Sequence, residues 1–206
     1  MKKIFKVRWI VVIVLLAAIL GFSGKVEAAP NYKKLYSDVL KKRRMNFLGN
    51  SYSYDKFAMV DINRDGKKEL IATGCYFRKV HVYTIKKKKV KLLGDIGCFI
   101  ASDSKGEYIE YNKSSKGLIL NQHAGTGLSG YELYKIKKNK LVRTISIGTS
   151  SVWDNGRSIV YYSVYQPTSS NSKSLYMKYY NKYFKTGKAK KVYLISNTEG
   201  NRKKLK

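Results

Sequence analysis

Two stretches of this chain, 51 residues apart, spell the same β-hairpin. Val82-Tyr83-Thr84-Ile85, the lysines Lys86 to Lys89 and Val90 align without a gap on Leu133-Tyr134-Lys135-Ile136, the turn Lys137 to Lys140 and Leu141. Ile96-Gly97 then matches Ile147-Gly148, and Asp103 matches Asp154. After a one-residue deletion Gly106, Ile109 and Tyr111 match Gly156, Ile159 and Tyr161. Upstream, at the same offset, Gly66 falls on Gly117 and Gly74 on Gly125. Short Val, Ile and Tyr runs broken by Lys, Asn, Asp and Gly are strand-and-turn grammar. An internal period constrains architecture more than any single segment does. Each unit, at about 58–108 and 109–161, reads as strand, tight turn, strand, lysine-rich hairpin, strand. That is the size of a propeller blade or a meander module, yet a closed propeller needs about four blades or more. The expected fold is β-rich α+β, with about nine or ten mostly antiparallel strands in an open or rolled sheet.

Helical periodicity brackets this region. In residues 31–47, Tyr32, Leu35, Tyr36, Val39 and Leu40 share one face and basic residues fill most of the rest, which predicts an amphipathic helix of about three turns. A second helix is predicted over about 173–185, capped by Ser172, with Leu175, Tyr176, Tyr179, Tyr180, Tyr183 and Phe184 at helical spacing. Its tyrosines alternate with lysines, a pattern that can stack on nucleic-acid bases. Packing of the stripe onto a sheet is the simpler reading, so no specific nucleic acid is expected. A last strand over 191–196 and a loose basic tail, 201–206, close a single domain of 29–200.

The amino terminus speaks to compartment. Lys2, Lys3, Lys6 and Arg8 precede an unbroken apolar run from Trp9 to Phe22, and Val26-Glu27-Ala28 offers a cleavage site. These are the three parts of a secretory signal peptide, predicted over residues 1–28. The run is shorter than the ~20 residues that span a bilayer comfortably, so membrane contact is expected only if the segment stays uncleaved. The expected location is secreted or cell-surface. Cys75 and Cys98 then either form a disulfide, which export permits, or remain two buried thiols.

Charge speaks to partners. The chain carries 42 Lys and Arg against 13 Asp and Glu, net +29. Removing residues 1–28 takes away five basic residues and one acidic, which leaves +25. A surface so basic attracts polyanions. Outside a cell those are teichoic acids, anionic glycans, acidic lipids or extracellular DNA, although lysine is also the ordinary polar filler of exposed strands and turns.

One segment has metal chemistry. Phe57 to Val60 leads into Asp61-Ile62-Asn63-Arg64-Asp65-Gly66-Lys67-Lys68-Glu69. The side-chain oxygens of Asp61, Asn63, Asp65 and Glu69, with the Lys67 carbonyl, can converge on one hard cation, and Gly66 permits the turn this needs. Ca²⁺ accepts such a ring. Position 12 is Ala72 rather than a bidentate Glu, and both flanks look like strands, which argues against a helix-flanked EF-hand. The segment resembles the calcium loop of FG-GAP/VCBS-type β repeats. More broadly, the N-terminal helix, the strand-loop-strand Ala58 to Leu70, the Y-x-I-K hairpins and the tail Asn197 to Lys204 resemble small exported Firmicutes proteins that carry such a loop. The resemblance implies a calcium site and no activity. Arg64, Lys67 and Lys68 balance Asp61, Asp65 and Glu69, so weak extracellular-type affinity is expected, Kd ~10⁻⁴–10⁻³ M. A turn satisfied by its own Asx hydrogen bonds is the alternative.

No catalytic constellation emerges. His81 sits between Val80 and Val82 in a strand. His123 precedes Gly125-x-Gly127-x-x-Gly130, which lacks the following helix of a dinucleotide site. Cys75, His123 and Asp103 could be drawn as a hydrolase triad, or His123, Asp103 and Asp154 as a concave site, without support from spacing. The expected role is non-catalytic, with a structural calcium ion. A lysine-rich binder of anionic polymers is the alternative, and a hydrolase the lesser one.

Overall fold

The structure is a computed structural model that describes residues 31–205 apart from 48, 75–78, 98–99, 125–127 and 186. The signal segment 1–28 and the cysteine pair Cys75 and Cys98 lie outside the described residues, as do the glycines Gly125 and Gly127.

The fold is α+β, β-rich, with antiparallel sheets flanked by N-terminal and C-terminal helices and, among the described residues, no closed barrel. Helix α1 spans Tyr32–Lys42 and buries Tyr36, Val39 and Leu40, the stripe its periodicity predicts. It stops short of 47, because Arg44–Phe47 forms β1 and pairs with β2 (Asn50–Ser53). Then β3 (Lys56–Val60), β4 (Glu69–Gly74), β5 (Lys79–Lys86) and β6 (Lys89–Ile96) make one meander. The short β7 (Ala101–Asp103) leads into β8 (Gly106–Asn112), β9 (Gly117–Ala124), β10 (Leu128–Lys137), β11 (Lys140–Asp154) and β12 (Arg157–Gln166), a second meander. Fourteen strands are present among the described residues, more than the nine or ten expected. The excess comes from β1, β2, β7 and a split last strand.

The duplication is visible in register. In β5–β6, Lys86 pairs with Lys89 and Ile85 with Val90, and the register slips between Val82 and Tyr83. In β10–β11, Lys137 pairs with Lys140 and Ile136 with Leu141, and the slip falls between Leu133 and Tyr134. Turn and bulge thus repeat at the 51-residue offset. The turn residues Lys87 and Lys88, like Lys138 and Asn139, all take left-handed φ values of 47–60°, the type I′ geometry that matches strand twist.

The glycine pairs do not follow that offset. Leu70 lies opposite Tyr83, whereas it is Leu118, 48 residues on, that lies opposite Tyr134. Leu70 and Tyr83 are 13 residues apart and Leu118 and Tyr134 are 16 apart, so the β9–β10 hairpin is the longer one, and Gly66 sits in a loop while Gly117 heads a strand. The two are not equivalent.

The last predicted strand divides. β13 (Lys190–Tyr193) pairs with β8, and β14 (Ile195–Ser196) pairs with β3. One segment therefore closes the β14-β3-β4-β5-β6 sheet and the β12-β11-β10-β9-β8-β13 sheet. Both sheets are amphipathic twice over. Their facing sides share a core of Ala58, Val60, Ile71, Val82, Ile109, Leu118 and neighbours. The outer side of the first sheet packs Phe57, Leu70 and Tyr83 against α1. The outer side of the second packs Leu133, Ile145 and Ile147 against α2 (Lys173–Tyr179) and the π-helical turn Tyr180–Phe184 that follows it. The layers run helix, sheet, sheet, helix.

Ser172 caps α2 as expected, its Oγ accepting the Leu175 N–H at 3.2 Å. Tyr176 and Phe184 are buried, and Tyr162 meets Tyr176 edge to face, so the aromatic stripe packs the sheet. The tail departs from expectation. Glu199–Lys203 forms α3, and Leu205 is buried beside Tyr36 and Leu40 in the core under α1. Its leucine, rather than its lysines, decides where it goes.

Candidate functional site

The loop between β3 and β4 is shaped by two left-handed residues, Arg64 (φ 59°) and Gly66 (φ 85°). Between them the oxygens of three predicted ligands converge. Asp61 Oδ1 accepts the Asp65 N–H at 3.1 Å and Oδ2 accepts the Gly66 N–H at 2.9 Å. Asn63 Oδ1 accepts the same Asp65 N–H at 3.2 Å, and its Nδ2 donates to Asp65 Oδ2. Asp65 Oδ1 accepts the Lys67 N–H at 2.9 Å. These are Asx hydrogen bonds, and they preorganise the loop.

Glu69 is placed differently. It is 1% exposed, its Oε2 accepts the Ile62 N–H at 2.9 Å, and its Oε1 accepts the Thr84 hydroxyl at 3.2 Å. Burial pushes its carboxyl up to about 7, with Asp65 and Asp61 adding to the rise and the bonds from Ile62 and Thr84 opposing it. The side chain of Ile62 is fully buried in the core between the sheets. Glu69 is thus the anchor of the loop, while Asp61, Asn63 and Asp65 face outward. The Lys68 carbonyl accepts the Tyr36 hydroxyl of α1 at 2.9 Å, which fixes the far end.

The donor set suits a hard cation in part. Three side chains supply oxygens, but among the described residues no group of three His, Cys, Asp or Glu residues is arranged to hold a metal. One orphan atom favours a ligand. The Tyr111 hydroxyl on β8 is buried and has no hydrogen-bond partner among the described residues, and the charges of Asp61 and Glu69 reach it. A cation on the loop would offset the charges of Asp61 and Glu69 that reach that hydroxyl. Calcium would then be held by Asp61, Asn63 and Asp65 with the Lys67 carbonyl, and would supply charge neutralisation and stiffness. The counterpart turn on the second sheet has no such set, because Asn112 to Leu120 carries no carboxylate, and Asn112 Oδ1 closes the turn by accepting the Ser115 N–H and the Ser114 hydroxyl.

Of the residues considered for catalysis, Cys75 and the side chain of His123 lie outside the described residues. Asp103 accepts from Lys191 Nζ at 2.6 Å, from the Lys105 N–H and from the Tyr193 hydroxyl, and these partners, Lys191 first, hold its carboxyl below the usual range. Asp154 ends β11 opposite Arg157, three strands away from β8. His81 belongs to a buried network that the sequence did not disclose. Tyr54 OH lies 2.7 Å from its Nδ1 and 2.5 Å from Tyr83 OH. The Tyr54 hydroxyl can accept from Tyr83 while donating to Nδ1, which suits a neutral imidazole, and burial lowers the His81 pKa. Tyr54 lies far from His81 in sequence, so no local spacing could have signalled this cluster.

A groove of about 480 Å³ on the second sheet was likewise unseen. Gly130 and Gly148, paired across β10 and β11, form its floor, and Tyr165 leans over Gly148. Glu132 is buried in it and accepts from Arg143 Nη1 at 2.6 Å and from the Tyr134 hydroxyl at 2.7 Å. The register of the two glycines was the only hint available.

Comparison with known proteins adds no relative: no family model, curated protein or solved structure matches the chain. The resemblance of Ala58 to Leu70 to calcium loops rests on those residues themselves.

Proposed function

We propose that this is an exported, non-catalytic protein whose β3–β4 loop binds calcium as a structural ion. The observation that carries the reading is the convergence of Asp61, Asn63 and Asp65 on one loop whose third carboxylate, Glu69, is anchored in the core. A cation there would couple the surface loop to Ile62 and so to the core between the sheets. Export is supported by the composition of residues 1–28. Among the described residues no helix is long and apolar enough to cross a membrane. Titration with calcium, followed through the amide resonances of Asp65 and Gly66, tests the site. Ligation withdraws Asp61 from those amides, so both resonances move together and saturate at Kd ~10⁻⁴–10⁻³ M. Unmoved resonances would leave an ordinary Asx turn.

A second reading is favoured by where the lysines sit. Seven non-glycine residues among those described take left-handed φ values, and five are basic: Arg64, Lys87, Lys88, Lys116 and Lys138. That conformation costs an ordinary residue roughly 1–2 kcal/mol, which Gly avoids and Asn lessens. Cations kept at strained turn tips support a role in binding an anionic cell-envelope polymer. Affinity for such a polymer would fall steeply with salt.

A further inference from the structure

The outer edges of the two main sheets are not alike. β14 has two residues, β13 has four and begins with Lys190-Lys191, and β6 carries Lys89, Lys91 and Asp95 together with a bulge. Short length, lysines and bulges are the devices that keep sheet edges from pairing with other chains. β12 has neither the short length nor the lysines, and its one bulge, at Tyr165, lies beyond the regular run from Arg157 to Val164. It runs for ten residues, and after Arg157 it carries no charge through Gln166. From Thr144 to Ser172 the chain holds one acid and one base, Asp154 and Arg157, in a protein with 42 lysines and arginines.

The β11–β12 hairpin also displays apolar side chains on both faces. Trp153 is 75% exposed, and Val152, Ile159, Val160 and Tyr161 are exposed too. Among the described residues β12 pairs with β11, and beyond that only Val164 makes a bridge, exchanging both its N–H and its C=O with Ser170. Val164 therefore aims its backbone groups away from β11. By the two-residue alternation of an antiparallel ladder, Tyr162, Val160 and Ser158 aim theirs the same way.

We propose that β12 is a homodimer edge, pairing antiparallel with β12 of a second copy about a two-fold axis at Val160. The open edge runs from Arg157, beside the hairpin turn, to Ser163, beside the Ser170 bridge, and its midpoint is Val160. Full antiparallel overlap of that segment with itself sets Val160 opposite Val160 and Ser158 opposite Tyr162. These are the residues whose N–H and C=O groups point outward, so the register of greatest overlap is also the one in which the hydrogen bonds form. Between them Ile159 lies opposite Tyr161, a β-branched and aromatic cross-strand pair of the favourable kind, occurring twice by symmetry. Charge selects the same occupant. Two copies, each strongly positive, meet with least repulsion along the strip without lysines. A lipid or polyanion surface would instead favour the basic faces that this strip lacks.

The test is the solution mass of the purified protein by sedimentation and light scattering, with Val160→Lys, Val160→Pro and Leu92→Lys beside it. At about 100 µM, which populates a micromolar dimer, the wild type and Leu92→Lys on the other edge give twice the chain mass. Val160→Lys sets two like charges face to face and raises the dimer Kd by at least about tenfold. Val160→Pro, which removes an outward N–H, does the same. Unchanged thermal unfolding of monomeric Val160→Lys certifies its fold. A monomeric wild type overturns the proposal, as does a dimer that survives both Val160 variants. So does a monomer that floats with phosphatidylglycerol vesicles through Trp153, which would assign the arm to a lipid surface.

Discussion

Glu69 Oε2 accepts the backbone N–H of Ile62 at 2.9 Å, reaching back seven residues across the loop to do so. The bond holds the one apolar residue of the loop in the core between the sheets and leaves Asp61, Asn63 and Asp65 on the outside. Glu69→Ala would leave the Ile62 N–H buried without a partner, at a cost of about 1–3 kcal/mol. Glu69→Gln keeps an acceptor in place and costs less. Urea unfolding of the two variants gives the order directly, and equal losses would mean that the Ile62 bond is not what anchors the loop.

The Tyr54–His81–Tyr83 network makes stability depend on pH. His81 is neutral in the fold with a lowered pKa, so the unfolded chain binds the proton more readily. Its contribution is complete above the unfolded value of about 6.5 and is lost as pH falls through that value toward the lower folded one. The groups facing it are Tyr54 and Tyr83, with Asp95 raising and Lys79 lowering its pKa, and Arg43 stacked over the Tyr83 ring. Glu69, with its carboxyl raised to about 7, acts in the opposite direction as pH falls from 7 to 5, so the His81 contribution is read by difference: His81→Gln should gain in melting temperature relative to the wild type over that range. Tyr54→Phe, which breaks the chain at its middle, should cost about 1–3 kcal/mol at neutral pH.

Glycines divide into those that touch backbone and those that do not. A Cβ at Gly74 would stand 2.3 Å from the Ser53 carbonyl oxygen, and one at Gly117 would stand 2.8 Å from that of Tyr134. Neither backbone can yield cheaply, so Gly74→Ala and Gly117→Ala should each destabilise by about 1–3 kcal/mol, with Gly74 the worse. Gly200, in α3 with open space around it, should gain about 0.5–1 kcal/mol as Ala. Chemical denaturation of the three variants checks both signs.

The lysine turns separate stability from binding. Replacing Lys87-Lys88 by Asn-Gly gives the type I′ turn its preferred residues and should stabilise by about 1 kcal/mol. It also removes two charges, so retention on a polyanion column should weaken at every salt concentration. A variant that is more stable yet binds unchanged would free these lysines from any binding role.

Local grammar carried much of the fold into the sequence. Hairpins at Lys87-Lys88 and Lys138-Asn139, the stripe of α1 and the Ser172 cap each depend on neighbours within a few residues. What stayed hidden depends on distant partners. The division of the last strand at Leu194 reflects two sheets competing for one segment. The burial of Leu205 needs the pocket left by Tyr36 and Leu40. The false equivalence of Gly66 and Gly117 arose because the longer β9–β10 hairpin shifts the offset of the preceding strands to 48. At the loop itself, residue types identified the oxygens of Asp61, Asn63 and Asp65. They could not reveal that Glu69 faces inward.

The most direct test of the calcium reading is a thermal melt of the purified protein in EGTA and in millimolar calcium, beside Asp65→Ala. With Kd ~10⁻⁴–10⁻³ M, 10 mM calcium should add about 2 kcal/mol to the wild type. That corresponds to a rise of about 4–8 °C for a domain of this size, with none in the variant. A wild type that melts at the same temperature in both solutions would contradict the account and reduce the loop to a turn closed by its own hydrogen bonds.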